Sequence, residues 1–398
     1  MDIFDKCYEF NTANEYKDRG LYPYFIPIAE NHGPRVVMNG REVIMIGSNN
    51  YLGLTKDPRV QEAAQKAIEK FGTSCSGSRF LNGTYELHEE LEERLAKYAK
   101  KEAALMFSTG YLVNVGAVSI LMDRKSVILS DRINHASILD GLFIGKGENI
   151  KVTIKRYNHN DMDDMERILK VLDPELPKMI ITDGVFSMEG DIVNLPRLVE
   201  LAKTHNARIY LDDAHGFGVL GEGGRGTMEH FGLFDEVDLV TATFSKSFAS
   251  LGGFIAGKKE VIDYIKHHSR ALIFCAAVPP ANIAAISKSL EIIQNEPEIV
   301  HRLQNTGAKM RREFQALGFD TGDSETPVVP IIIRDFDKTL AFWRALFEAG
   351  IYTNAVVPPG VPPDLSLLRT TYMATHTDDD LDRVLDTFKR LGKEMGII

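Results

Sequence analysis

Cysteine is scarce in this chain: Cys7, Cys75 and Cys275 are the three among 398 residues. They cannot all pair, and their separations match no metal-ligand pattern. A disulfide scaffold and a cysteine metal centre are therefore excluded, reduced thiols are expected, and no metal site is predicted. Long apolar runs are also missing. The longest, Ala271 to Ile286, is interrupted by Pro279, Pro280 and Asn282 and is too short and broken to cross a bilayer. At most peripheral membrane contact is expected. Positive charge is in deficit, with a formal net charge of -10. No Lys/Arg-rich segment interleaved with aromatics offsets that deficit, which argues against nucleic acid as a partner. The first residues, MDIFDKCYEF, carry acid where a secretory leader carries a basic and then an apolar segment, so a cytoplasmic location is expected. Internal repeats and low-complexity tracts are absent.

What the chain does contain is the balance of a soluble globular protein, 44% hydrophobic and 26% charged. Its length predicts two or three packed units. Residues 1–45 read as an N-terminal arm, with an amphipathic helix through Phe10 to Arg19 and a proline-rich extended stretch around Phe25. A hairpin is predicted at Asn39-Gly40, between Arg35–Met38 and Glu42–Ile46. Residues 46–285 alternate short apolar runs with helical patterns. The runs are Ala103–Phe107, Ser126–Leu129, Lys178–Thr182, Arg208–Leu211 and Val237–Val240; helices are predicted over Glu86–Lys100, Met162–Leu172 and Leu195–His205. Such alternation predicts an α/β fold, a mostly parallel sheet with helices on both faces. Residues 286–398 read as a smaller C-terminal α+β domain. A long helical stretch, Ala284 to Leu317, leads into it, followed by a strand Val328–Ile333, a helix near Lys338–Ala349 and a last helix from Asp378.

Ligands in parallel sheets bind beyond the carboxyl ends of the strands, and the chemically capable residues cluster there. Lys246 follows the run Val237–Val240, among Thr243, Ser245 and Leu251-Gly252-Gly253. Small, hydroxylated surroundings enclose a lysine, and enclosure makes its amine a nucleophile for carbonyls. Asp212 and His215 follow the run Arg208–Leu211. This set suits a cofactor with an aldehyde, a ring nitrogen, a phenolic oxygen and a phosphate. Lys246 answers the aldehyde and Asp212 the protonated ring nitrogen, which makes the ring an electron sink. His215 and Ser187 suit the phenolic oxygen. The strand-to-helix turn Ser108-Thr109-Gly110-Tyr111 offers N–H groups to the phosphate, with Thr243 and Ser245 adding hydroxyls. His135 is placed to stack on the ring. A nicotinamide site is disfavoured, because no Gly-x-Gly-x-x-Gly follows the first strand. A cofactor-binding sensor without turnover is the other class weighed.

In the order Gly47-Ser48-Asn49-Asn50-Tyr51-Leu52-Gly53, Asn134-His135-Ala136-Ser137, Asp183 to Asp191, Asp212-Asp213-Ala214-His215-Gly216, Thr243-Phe244-Ser245-Lys246-Ser247 and Leu368-Arg369-Thr370, the chain resembles the α-oxoamine synthases. These are pyridoxal 5'-phosphate enzymes of the type I transferase (aminotransferase) fold. Gly20 to Phe25, Ser78 to Thr84 and Met373 to Thr377 are most similar to the soluble bacterial serine palmitoyltransferases. The resemblance implies a pyridoxal phosphate held covalently by Lys246, with Asp212 on the pyridine nitrogen, His215 on the phenolic oxygen and His135 on the ring and the substrate carboxylate. It implies that Asn49 and Arg369 bind that carboxylate and that Tyr51 is also at the substrate. The reaction implied is decarboxylative condensation of L-serine with palmitoyl-CoA, a long-chain acyl-CoA, in a homodimer, with Lys246 also removing the Cα proton. Another member's reaction, a glycine or alanine C-acyltransferase such as 2-amino-3-ketobutyrate CoA ligase or 8-amino-7-oxononanoate synthase, is the alternative. One departure stands out. Where the family commonly has Ser or Thr for a neighbouring subunit's phosphate contact, this chain has Ile273-Phe274-Cys275-Ala276-Ala277.

Overall fold

The computed structural model of the protein describes residues 2–148 and 151–398. In chain order its strands are β1 (Ile28–Asn31), β2 (Arg35–Met38), β3 (Arg41–Met45), β4 (Ala103–Phe107), β5 (Val127–Asp131), β6 (Thr153–Tyr157), β7 (Lys178–Asp183), β8 (Ala207–Asp212), β9 (Leu239–Thr243), β10 (Gly253–Gly257), β11 (Val328–Ile332), β12 (Ile351–Tyr352), β13 (Asn354–Val356) and β14 (Leu367–Thr371). The chain forms two units, Asn49–Asn305 and Met1–Ser48 together with Thr306–Ile398.

The larger unit is built on a seven-stranded sheet in the order β4-β10-β9-β8-β7-β5-β6. β6, β5, β7, β8 and β9 run parallel, and β10 is antiparallel to both β9 and β4. β5, β9 and β10 are buried at every position, as expected of strands covered on both faces. Parallel neighbours need crossovers. Helices Ala136–Glu148, Met162–Lys170 and Leu195–Thr204 supply them between β5, β6, β7 and β8. Each start of the last two is sealed by a side chain: Asp161 accepts from the Asp164 amide and Asn194 from the Arg197 amide. All five predicted strands are present. β6 and β10 were not anticipated. β6 reads Thr-Ile-Lys-Arg-Tyr and is largely exposed at the sheet edge, so it shows no apolar run. β10 is glycine-bounded, and a Cβ on Gly253 would lie 2.7 Å from both the Ala242 carbonyl and the Gly110 Cα. Backbones meet there too closely for a side chain.

The smaller unit holds two sheets, β1-β2-β3-β12 and β11-β14-β13. The predicted hairpin joins β2 to β3, with Asn39 at φ 50° and Gly40 at φ 72°, as a two-residue primed turn requires. β3 pairs in parallel with β12, Ile44 opposite Ile351. The N-terminal arm is therefore grouped with the C-terminal region instead of standing alone. A shared core of Ile44, Phe314, Phe342, Trp343 and Phe388 fixes that grouping. The long helical stretch is two helices, Pro280–Asn295 and Glu298–Leu317. Pro297 clashes with a helical residue before it, and Glu296 leaves the helix at φ -129°, ψ 60°. The first of these helices packs on helix Pro58–Phe71 within the larger unit, so the boundary falls at residue 305/306 instead of 285/286. Among the described residues no helix is long and apolar enough to cross a membrane, and no group of acids, histidines and cysteines is arranged for a metal ion.

Candidate active site

β7, β8 and β9 are parallel and end at Asp183, Asp212 and Thr243. A cavity of about 260 Å³ opens beyond those ends. The switch from parallel β9 to antiparallel β10 brings residues 244–252 back over the same edge, and Lys246 lies on this return. Phe244 and Phe248 are fully buried, with ring centroids 5.5 Å apart, and clamp the segment from below. The amide of Ala249 bonds the Lys246 carbonyl at 3.0 Å, and the amide of Ser250 bonds the Phe244 carbonyl at 2.9 Å. With its neighbours on either side anchored inward, Lys246 is half-buried and lines the cavity.

Asp212 and Asp213 separate by strand alternation. Asp212 faces the cavity; its Oδ1 accepts from the Ala214 amide at 3.1 Å and its Oδ2 from Asn114 Nδ2 at 2.5 Å. Asp213 is fully buried on the opposite side and accepts from Thr227 N at 2.7 Å and Thr227 Oγ1 at 2.6 Å. Burial pushes the Asp213 carboxyl up to about 7, against the pull of the Thr227 bonds. Asp183 pairs in register with Asp212 across β7 and β8. Burial, then the charge of Asp212, holds the Asp183 carboxyl well above the ordinary range, and its Oδ2 accepts from the His135 amide at 2.9 Å.

That bond seats His135, whose Nδ1 lies 2.7 Å from Ser137 Oγ. The ring lines the cavity yet keeps accessible surface. Its packed surroundings lower its pKa below the ordinary imidazole range; Asp212 opposes that and Lys246 adds to it. His215 is buried and its Nδ1 meets the Tyr51 hydroxyl at 2.7 Å. Thr109 caps helix Gly110–Leu121 by accepting from the Leu112 amide at 3.1 Å, so the positive end of a three-turn helix points at the cavity. Thr243 Oγ1 and Ser245 Oγ lie 2.9 Å apart beside it.

Lys246, Asp212, His215, His135, Thr109, Gly110, Tyr111, Ser187, Thr243 and Ser245 thus line one cavity. Three other expected residues of the same unit do not line it. The Ser108 hydroxyl turns away and donates to the Ala276 carbonyl. Tyr51, expected at the substrate, is fully buried and its hydroxyl meets His215, which lines the cavity. The Asn49 carbonyl accepts from the Tyr51 amide at 2.8 Å, within the turn that precedes that ring. Arg369 lies on β14 in the other unit, where it is buried. Asn114 and Asp183 do line the cavity but were not assigned a role from sequence. A lone Asn inside the apolar helix sequence GYLVNVGAVSIL was the available signal for the first, since a buried amide demands partners.

Outside the cavity lining, His159 bridges Asp131 at 3.3 Å and Asp191 at 3.1 Å and stands edge-on to Phe186 at 4.4 Å. Burial pulls this imidazole down, but bonds to Asp131 and Asp191 outweigh it and push its pKa up to about 10. The folded value exceeds the unfolded one, near 6.5. The cluster's stabilisation is therefore complete below about pH 6.5 and is lost as pH rises toward 10. His159→Gln is expected to lower Tm by about 2–4 °C at pH 6 and by much less at pH 10. Thermal melts at both pH values check this, and equal deficits would refute the charged bridge.

Comparison with known proteins follows the same lines. Residues 41–388 match the family described as Aminotransferase class I and II. A curated serine palmitoyltransferase from Sphingobacterium spiritivorum is 47% identical over 99% of this chain and 98% of its own. An 8-amino-7-oxononanoate synthase from Thermoanaerobacter pseudethanolicus is 42% identical over 100% of this chain and 99% of its own. The solved structure of a serine palmitoyltransferase from S. paucimobilis with a bound PLP–myriocin aldimine superposes with a TM-score of 0.95, at 33% identity over 100% of both chains.

Proposed function

The chain belongs to the aminotransferase class I and II family, and within it to the α-oxoamine synthases, and from that premise we propose that it condenses L-serine with palmitoyl-CoA. The products are 3-ketodihydrosphingosine, coenzyme A and carbon dioxide. The observation that carries this reading is the 47% identity, spread over nearly the whole chain, to a serine palmitoyltransferase. The cofactor is pyridoxal phosphate, and the donor set suits it: an amine at Lys246, a carboxylate at Asp212 and a capped helix start beside two hydroxyls.

Bound there, the cofactor supplies an electrophilic carbonyl carbon and a ring that accepts the electron pair left at a substrate Cα. Lys246 would hold that carbon, and its Nζ, when free, would stand where it can take a proton from the substrate Cα. Asp212 keeps a proton on the ring nitrogen. The Gly110 and Tyr111 amides, with Thr243 and Ser245, bind the phosphate; His215, braced by Tyr51, and Ser187 serve the phenolic oxygen. His135 covers the ring and orients the serine carboxylate, and Asn49 and Arg369 are assigned to that carboxylate. A homodimer and a cytoplasmic location belong to the same reading. Exposed Phe143, Ile144 and Phe274 offer apolar area for a second copy to cover.

The test is coenzyme A release with L-serine, glycine and L-alanine, each against acyl-CoAs of graded length. Fastest release with serine and a C16 donor is expected. Preference for alanine would favour the oxononanoate synthase reading instead, which the 42% relative keeps open. A second expected outcome concerns the phosphate end. A Cβ on Gly110 would lie 2.6 Å from Thr243 Cβ and Oγ1, so Gly110→Ala displaces the helix start from the hydroxyls. Cofactor affinity is expected to fall about 10-fold or more, read by equilibrium dialysis.

A further inference from the structure

Asn114 is 2% exposed in the middle of an apolar helix, and both ends of its amide are engaged. Nδ2 donates to Asp212 Oδ2 at 2.5 Å and to Ser137 Oγ at 2.9 Å. Oδ1 accepts from the Tyr210 hydroxyl at 2.8 Å and from Thr241 Oγ1 at 3.3 Å. Chemistry fixes which way the amide faces. A carboxylate oxygen only accepts, so the amide nitrogen must be the atom that meets Asp212, and the oxygen is left for the two hydroxyls. Ser137 continues the chain, since its Oγ lies 2.7 Å from His135 Nδ1. One buried amide thus joins the carboxylate assigned to the ring nitrogen to the imidazole assigned to the ring face. Tyr210 and Thr241, on β8 and β9, tie that amide to the sheet.

We propose that Asn114 is a positioning residue for the reaction, holding Asp212 in the orientation that meets the ring nitrogen and, through Ser137, setting His135 relative to it. The proposal rests on the assignment of Asp212 given above. Asp212 is anchored from two sides, by the Ala214 amide on Oδ1 and by Asn114 on Oδ2. Without Asn114 one anchor remains, and the carboxylate is free to turn about it. Hydrogen bonds to charged groups in enclosed sites are the stronger ones, so the loss is felt at the ring.

The experiment uses holoenzyme without substrate, so that it does not depend on which amino acid the enzyme prefers. Asn114→Leu, which keeps the approximate shape and removes the amide, and Tyr210→Phe, which deletes one hydroxyl, are compared with wild type and with Asp212→Asn. Two quantities are read: the dissociation constant for pyridoxal phosphate, and the pH midpoint of the visible absorbance of the bound cofactor. Asn114→Leu is expected to weaken cofactor binding about 10- to 100-fold and to move the midpoint in the same direction as Asp212→Asn. Tyr210→Phe is expected to move it less, in that direction. A midpoint that stays at the wild-type value in Asn114→Leu, with only Tm lowered, would assign Asn114 a merely structural role and overturn the proposal. If Asn114→Leu does not fold, Tyr210→Phe decides: an unmoved midpoint there overturns it equally. Should Asp212→Asn itself leave the midpoint unmoved, the assignment of Asp212 fails and the proposal falls with it, while serine turnover by wild type still judges the function separately.

Discussion

Lys246→Ala protein, treated with pyridoxal phosphate and borohydride and then denatured, is expected to carry no cofactor, whereas wild type retains one label on the peptide containing residue 246. Turnover is expected to fall at least about 10³-fold, because the substitution removes both a covalent partner and the base for the Cα proton. The geometry makes substitution by a neighbour hard. Among the described residues no second lysine lines the cavity, and the other basic groups there, His135 and His215, are held by Ser137 and Tyr51. Non-covalent binding of the cofactor should survive, since the capped helix start and the Thr243 and Ser245 hydroxyls are untouched. A label that persists in the variant, or one found on another peptide of the wild type, would remove Lys246 from its role.

The largest stability effect is expected at Gly216. A Cβ there would stand 1.8 Å from Asp213 Oδ1, a separation no pair of non-bonded atoms tolerates. Asp213 cannot retreat. Its carboxylate is fully buried, bonded twice to Thr227, and walled on other sides by Gly184 and Gly226, whose own Cβ atoms would lie 2.5 Å and 2.0 Å from it. Gly216→Ala must therefore break the Thr227 bonds or push the strand end that carries Asp212. A loss of about 3 kcal/mol or more is expected, measured by denaturant unfolding. Gly147→Ala is the matched control, as nothing lies within 4 Å of its Cβ and it sits in a helix. That variant is expected to be neutral or to gain roughly 0.5–1 kcal/mol. Equal losses in both would show that Asp213 is less confined than its contacts imply.

Much of the site was legible in the residues because the chemistry sits at strand ends. Apolar runs locate the strands, and Asp212 and Asp183 directly follow theirs while Thr243 closes β9 three residues beyond its run. Lys246 and His215 follow within a few positions of those ends, and His135 follows the end of β5. The positioning shell was not legible. Asn114 is a single amide in a helix that reads mostly as core, and its partners Tyr210 and Thr241 look like ordinary strand residues until the sheet places them side by side. Tyr51 sits in a turn-prone stretch whose burial against His215 depends on a contact spanning most of the larger unit. The unit boundaries were hidden for a related reason. β3 finds β12 three hundred residues later, and no local pattern announces a partner at that distance. Pro297 did announce the helix break; the periodicity on either side masked it.

The antiparallel return from β9 to β10 has a mechanical consequence. Thr243 and Gly253 face each other in the ladder, so the Lys246 amine rides on a short tether moored at both ends to buried strands. Under the role proposed for Lys246, that tether would keep the amine beside the cavity, so that it returns without a search. Its local concentration stays high throughout.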